Sequence, residues 1–306
     1  MDSAECLQNT VFLGEENGLY IAFRSKPQSI RADESIFYAD YVKVLEHLLP
    51  DLAGDGVKEY MLSQSADNKR VKQLSKLATS RSARKSAGLC FCEGDTLYKD
   101  ALEYRAQVRS VYFREGHEGP VPEGAEWNSL TDKLFDSISQ VDTPQNVIFL
   151  CALEAREEKL SGPPILLDGV ADPGNMGTII RTAVAFGHPV VVGEGSADIY
   201  SPKVVRSAMG ALFRADIRVA NLREVIPGLQ EKGMRVLAAT LSEKSRLLGE
   251  EPIQNTAVVI GNEANGVSGA VCALCDGEII IPMRGGCESL NAAVAASVFM
   301  WEMAKE

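Results

Sequence analysis

The stretch Pro164-Ile165-Leu166-Leu167-Asp168-Gly169-Val170-Ala171-Asp172-Pro173-Gly174-Asn175-Met176-Gly177-Thr178-Ile179-Ile180-Arg181-Thr182-Ala183 decides the fold. It opens as a short, continuous apolar run, the pattern of a strand buried on both faces. Glycines and a proline then turn the chain, and apolar residues resume at helical spacing. Similar apolar runs recur at 189–193, 235–239, 257–261 and 278–281, each separated from the next by a helical pattern. Strands alternating with helices imply an α/β domain whose mainly parallel sheet is covered on both faces. Helix punctuation agrees. Ser201-Pro202 is an N-cap followed by proline at the first helical position. Gly187 and Gly233 fall where helix C-caps are expected, and a last helix is expected over 288–303.

Upstream, residues 159–164 contain Ser-Gly-Pro-Pro and read as a linker. Residues 57–158 read as a smaller α/β unit. A helix is expected over 68–78, then a strand at 88–92, a helix at 95–103, and strands at 108–113 and 146–150. The Gly-, Pro- and Glu-rich residues 115–128 read as a long loop. Residues 1–56 form an N-terminal extension of unassigned role. Two apolar runs flanking Gly14 to Gly18 predict a hairpin, and the spacing over 35–49 predicts a helix ended by Pro50. The expected division is therefore 1–56, 57–158 and 163–306.

Composition narrows the function classes. There is no apolar run long enough for a membrane span, so none is expected. The start, Met1-Asp2-Ser3-Ala4-Glu5, lacks a basic, apolar leader. Seven cysteines without a framework point to free thiols and a cytoplasmic protein. The net charge of −11 argues against nucleic acid only until its distribution is considered. Residues 57–115 hold 12 lysines and arginines against 7 acidic residues, so a local anionic partner fits that segment.

Three segments of the second half carry polar residues in Gly-rich loops beside apolar strands. The first is 167–183, quoted above. The second is Ile260-Gly261-Asn262-Glu263-Ala264-Asn265-Gly266-Val267, and the third is Ile281-Pro282-Met283-Arg284-Gly285-Gly286-Cys287-Glu288-Ser289-Leu290-Asn291-Ala292-Ala293. Parallel sheets place ligands at such strand ends. Singly, each reads equally well as an ordinary connection. Together and in this order they closely resemble the three motifs of the SpoU/TrmH-type RNA 2′-O-ribose methyltransferases, within the SPOUT class. Residues 199–213 also resemble that family's intervening helix. The resemblance covers 164–306 strongly and extends more weakly to 57–115, which looks like the family's ribosomal-protein-like substrate-binding domain. It does not cover 1–56.

The resemblance implies a C-terminal trefoil knot and a homodimer whose site is completed near the interface. It implies S-adenosyl-L-methionine as cofactor, held mainly by backbone around Thr240, Gly261, Ile281, Met283 and Leu290. The implied reaction is methyl transfer to a ribose 2′-hydroxyl without a metal. Ribosomal RNA is the favoured substrate and transfer RNA the alternative. Asn175, Arg181, Glu263, Ser289 and Asn291 are the implied catalytic set. A guanidinium titrates too high to serve readily as a base. Arg181 is instead expected to hold a phosphate and acidify the hydroxyl. Asn175 would orient the ribose or Arg181. Glu263 would accept a hydrogen bond from Arg181 or act as base, while Ser289 and Asn291 shape the pocket. Lys69, Arg70, Lys72, Arg81, Arg84 and Lys85 are expected on RNA phosphates, which position a substrate without reading its sequence.

Other signals carry less. Cys272 and Cys275 form a lone C-x-x-C, short of a four-ligand zinc site, and are expected as buried thiols on a helix. His47, His117 and His188 lack metal spacing. A dinucleotide-dependent oxidoreductase would leave the second and third segments unexplained and lacks the full glycine fingerprint. A non-catalytic, methyltransferase-like RNA assembly factor is the stronger rival; the joint presence of Asn175, Arg181, Glu263 and Asn291 argues against it.

Overall fold

The computed structural model describes residues 10–15, 18–23, 62–63, 69–153, 160–284 and 289–305. The chain divides into two units, Met1–Met61 and Leu62–Glu306. In the first, β1 (Thr10–Glu15) and β2 (Gly18–Phe23) pair antiparallel as the expected hairpin. The helix expected over 35–49 lies outside the described residues.

The second unit holds two sheets. The smaller has five strands: β3 (Leu62–Ser63), β4 (Leu89–Glu93), β5 (Val108–Arg114), β6 (Glu126–Leu130) and β7 (Val147–Ala152), in the order β3-β6-β5-β7-β4. Its helices are α1 (Lys69–Thr79), α2 (Arg81–Ala87), α3 (Asp95–Glu103) and α4 (Asp132–Ile138). The expected loop over 115–128 is corrected at its end, where β6 runs parallel to β5. Asn128 and Ser129 are buried there, so polar side chains hide the strand from a hydropathy reading. The Asn128 amide donates to the Val111 carbonyl at 3.4 Å, which satisfies the buried amide.

The larger sheet has seven strands: β8 (Ile165–Asp168), β9 (Val190–Val192), β10 (Ile217–Val219), β11 (Arg235–Ala239), β12 (Arg246–Leu247), β13 (Thr256–Gly261) and β14 (Gly277–Ile280). They lie in the order β10-β9-β8-β13-β11-β14-β12, and every neighbouring pair is parallel. Its helices are α5 (Pro173–Phe186), α6 (Pro202–Ala208), α7 (Leu222–Gln230), α8 (Gly269–Cys272) and α9 (Ala292–Met303), with a 3-10 turn at Met209–Phe213. The sequence pattern missed β10 and β12, which are only three and two residues long at the sheet edges. Helix α9 begins later than expected because Asn291 caps it, its side-chain Oδ1 accepting from the amides of Ala293 and Val294.

Side-chain alternation explains why the strands read as unbroken apolar runs. On β8, Ile165 and Leu167 enter one core with Met176, Ile179 and Ile180 of α5. Leu166 between them enters another core with Leu222, Ile226 and Leu229 of α7. All three β8 residues are fully buried, each worth roughly 1.5–3 kcal/mol relative to exposure. The smaller sheet is also two-faced. Phe91, Tyr112 and Ile148 pack with Val71, Leu74 and Leu77 of α1. Cys90, Cys92, Val111 and Phe149 point the other way, into the same core as Ile165 and α5. The two sheets therefore share a hydrophobic core, where the sequence suggested bodies separated only by a linker.

Candidate active site

Because the large sheet is parallel, the C-terminal ends of β8, β13, β11 and β14 lie side by side along one edge. The first motif leaves β8, the second leaves β13, and the third follows β14. Sheet order, which local sequence does not contain, brings all three together.

The first motif is built by helix capping. The Asp172 carboxylate accepts from the Asn175 amide at 2.8 Å, Pro173 occupies the first turn, and Gly187 closes α5 in the left-handed region at φ 76°. This fixes Asn175 at the mouth of α5. Its side-chain amide donates to Glu263 at 3.0 Å, and its side-chain carbonyl accepts from the Asn291 amide at 2.9 Å. Asn175, Glu263 and Asn291 thus join one residue from each motif in a continuous chain of hydrogen bonds.

Glu263 also accepts from the backbone amides of Ala171 and Asp172, both at 3.1 Å. Burial pushes its carboxyl up, but the donors from Asn175 and the backbone outweigh that, and the group lies below its ordinary value. It is a stabilised carboxylate. Within one chain the donors to Glu263 are Asn175 and the Ala171 and Asp172 amides rather than Arg181. Asn262 organises the same loop. Its side-chain oxygen accepts from the amides of Ala264 and Asn265, and its amide donates to Gly169 at 2.8 Å. Gly261 is forced by close approach, since an added Cβ would lie 2.0 Å from the Gly266 carbonyl carbon.

Arg181 stands apart from this chain. It lies six residues beyond Asn175 on α5, about 9 Å along and well around the helix axis. Its side chain is exposed and, among the described residues, makes no hydrogen bond or ion pair. It borders an open polar cavity of about 180 Å³ with Tyr104, Met209 and Arg214. Ser289 is exposed beside Asn291.

Thr240, Gly261, Ile281, Met283 and Leu290 are all half-buried, at or just past the ends of β11, β13 and β14 and before α9. The Thr240 amide donates to the Ile279 carbonyl at 3.1 Å. Its hydroxyl donates to Glu278 at 2.6 Å, and that hydroxyl, with Ser242, holds the Glu278 carboxyl below its usual range.

Of the expected phosphate contacts, Lys69, Lys72, Arg81 and Lys85 are exposed and Arg70 is half-exposed beside Asn128 and Glu126. Arg84 is corrected. It is 4% exposed, donates to the Leu77 carbonyl at 2.8 Å and pairs with Asp198 at 2.7 Å. Its charge is used inside the protein, tying α2 to the larger-sheet half. Cys272 and Cys275 are half-buried, and α8 ends at Cys272, so they do not share a helix. Sequence reading missed a different group: Cys90, Cys92 and Cys151 are buried with their sulfurs within 4.8 Å of one another. Cross-strand pairing of Cys90 with Cys151 creates it, and burial pushes the Cys92 thiol up.

The fold and this edge define a parallel α/β ligand-binding domain with a polar three-loop site, fused to a second α/β domain. Residues 163–301 match the SpoU rRNA Methylase family, and residues 68–148 match the MRM3-like substrate binding domain. The chain is 30% identical over 243 residues to 23S rRNA (guanosine(2553)-2′-O)-methyltransferase RlmP of Bacillus subtilis, covering 78% of this chain and 98% of that relative. The chain belongs to the SpoU rRNA methylase family. A TrmH-family protein from Porphyromonas gingivalis superposes with a TM-score of 0.71 at 33% identity, covering 79% of this chain and 98% of that one. The SpoU methyltransferase AviRb from Streptomyces viridochromogenes, in complex with AdoMet, gives a TM-score of 0.65 at 28% identity, covering 78% of this chain and 98% of that one. Among the described residues, no helix is long and apolar enough to cross a membrane.

Proposed function

We propose that this protein transfers a methyl group from S-adenosylmethionine to a ribose 2′-hydroxyl of ribosomal RNA. The hydrogen-bonded chain Glu263–Asn175–Asn291 carries the reading, because it joins all three motifs at the strand-end edge. When bound at the ends of β11, β13 and β14, S-adenosylmethionine supplies an electrophilic methyl group. The transfer these residues would serve joins the methyl carbon to the ribose oxygen, with S-adenosylhomocysteine as the leaving thioether and the hydroxyl proton passing to solvent water.

The residues position and polarise the hydroxyl. Glu263 is engaged by three donors and titrates low, so its part is to lock the Asn175 amide rather than to take the proton. With Asn175 and Asn291 fixed, the ribose meets a rigid polar wall, and alignment of this kind supplies several kcal/mol of a ceiling of about 7–11. Arg181 holds the neighbouring phosphate and stabilises the developing alkoxide. Ser289 borders the pocket. Thr240, Gly261, Ile281, Met283 and Leu290 hold the cofactor, and residues 57–158 receive the RNA through Lys69, Arg70, Lys72, Arg81 and Lys85.

The separation of Arg181 from Asn175 in one chain supports a homodimer in which a partner completes each site. A surface for it is present. Val294 and Trp301, seven residues apart on one face of α9, are 49% and 57% exposed, and Trp301 packs edge-on against Phe186 of α5. Free thiols support a cytoplasmic setting. The strand order, with β11 between two later strands, is compatible with a C-terminal knot.

The test is incubation with labelled S-adenosylmethionine and RNA lacking its modification, with 2′-O-methyl groups mapped by resistance to alkaline cleavage. One new resistant position in ribosomal RNA is expected, lost in Arg181→Ala while cofactor affinity is kept. Cofactor binding without transfer to any RNA would favour the non-catalytic assembly factor, and transfer confined to transfer RNA would move the substrate.

A further inference from the structure

The open polar cavity beside Arg181 is formed by both halves of the second unit. Tyr104 and Asp100 come from the end of α3, Arg181 from α5, and Met209, Gly210 and Arg214 from the 3-10 turn and its exit. Two guanidinium groups and one carboxylate face the same space. One Asp100 oxygen is already taken by the Gly210 amide at 3.1 Å. Arg214 is held with its guanidinium 4.4 Å from the centre of the Tyr104 ring. A stacked guanidinium keeps its edge N–H groups free to grip two oxygens of an oxyanion such as a phosphate.

The backbone here is strained. Met209 has φ 52° and ψ −155°, a combination that essentially only glycine adopts. The adjoining Gly210 has no room for a side chain, since an added Cβ would lie 2.4 Å from Asp100. Asp100 therefore clamps the turn in a conformation that its own sequence disfavours, and the turn places Arg214 opposite Arg181. Strain held in place by a specific contact is a mark of a functional site. At about 180 Å³ the space is too small for a whole cofactor, which needs roughly 300 Å³ or more. It suits one phosphate and its sugar.

We propose that this cavity is a phosphodiester subsite for the substrate RNA, in which Arg214, stacked on Tyr104, is a substrate-positioning residue acting with Arg181. The subsite rests on the RNA methyl-transfer reading. It gives the α3 end a role in that reaction: Tyr104 and Asp100 hold the residues that grip the strand, so docking of the smaller half onto the larger sets the register of the bound RNA.

The experiment compares Arg214→Gln, Arg214→Lys and, as a charge control on the remote face of α7, Arg223→Gln. It measures KM for RNA, kcat, KM for S-adenosylmethionine, Tm, and the salt dependence of RNA binding. Arg214→Gln should raise KM for RNA about tenfold, leave kcat within about twofold, and reduce the slope of log K against log salt by about 0.7. Cofactor KM and Tm should stay unchanged. Arg214→Lys should restore the salt slope but only part of the KM, because it keeps the charge and loses the planar stack. Arg223→Gln should change nothing. An unaltered slope and KM in Arg214→Gln overturn the proposal, as does an equal loss in Arg223→Gln, or a fall in Tm accompanied by weaker cofactor use. Failure of the underlying reading looks different: wild-type protein then transfers no methyl group to RNA, and the salt slope of binding still decides whether Arg214 meets a phosphate.

Discussion

Replacing Arg84 by alanine separates an internal role from a phosphate-binding one. The guanidinium is 5% exposed and its Asp198 partner 16%, with 2.7 Å between them, so the pair is shielded from salt. Removal strands two groups. The Leu77 carbonyl loses its Arg84 donor, costing about 1–3 kcal/mol. Among the described residues Asp198 then keeps the Tyr200 amide at 3.1 Å as its side-chain partner and becomes a nearly uncompensated, partly buried charge. Breaking one side of such a pair costs about 3–5 kcal/mol in total. For a unit of this size each kcal/mol lowers Tm by about 2–4 °C, so a fall of roughly 6–20 °C is expected in differential scanning calorimetry. The double variant Arg84→Met, Asp198→Leu should recover most of that loss, because an apolar pair of similar volume avoids the desolvation cost. The salt slope of RNA binding, measured below the melting range, should not change. A stable Arg84→Ala protein whose slope drops by about 0.7 would refute the reasoning and return Arg84 to the RNA surface.

The remaining predictions concern the site and its supports. Reversing Lys69, Arg70 and Lys72 to glutamate should weaken RNA binding and flatten its salt dependence without changing cofactor affinity; fluorescence anisotropy across a salt series checks this. Gly177→Ala should lower Tm, because the new Cβ would lie 2.3 Å from Ser207 Cβ and 2.8 Å from the Ala208 amide, prising α5 from α6 at a cost of about 1–3 kcal/mol or more. Glu263 titrates below its ordinary value, so its contribution is complete above the unfolded value of about 4.3 and is lost as pH falls through the lower folded value. The Tm difference between wild type and Glu263→Gln should therefore be flat from about pH 8 to 5 and shrink only below about pH 4. Trp301→Glu should shift the assembly toward monomer in light scattering and reduce methyl transfer with it, since the exposed ring on α9 is the centre of the proposed contact.

Much of the molecule was legible in sequence because its signals are local. The unbroken apolar runs of β8 and β13 report burial on both faces, and each face now has its own core. Capping residues are equally local: Ser201 and Gly187 act within a few residues of themselves. The three polar loops could be marked for the same reason. The tertiary structure decided what depends on distant pairing. It placed β13 beside β8, and so set Glu263 and Asn291 on the two ends of one asparagine side chain. It turned Arg84, which sits in a basic run, inward onto a carboxylate 114 residues away. It concealed β6 behind buried Asn128 and Ser129, which lie opposite Tyr112 and Phe113 of the neighbouring strand. It also set Arg214 and Arg181 on one cavity, through a strained turn whose Gly210 amide is held by the remote Asp100. A sequence carries the hydrophobic period of each element. Which charge meets which is fixed by sheet order and by the packing of one half on the other, and those are properties of the whole chain.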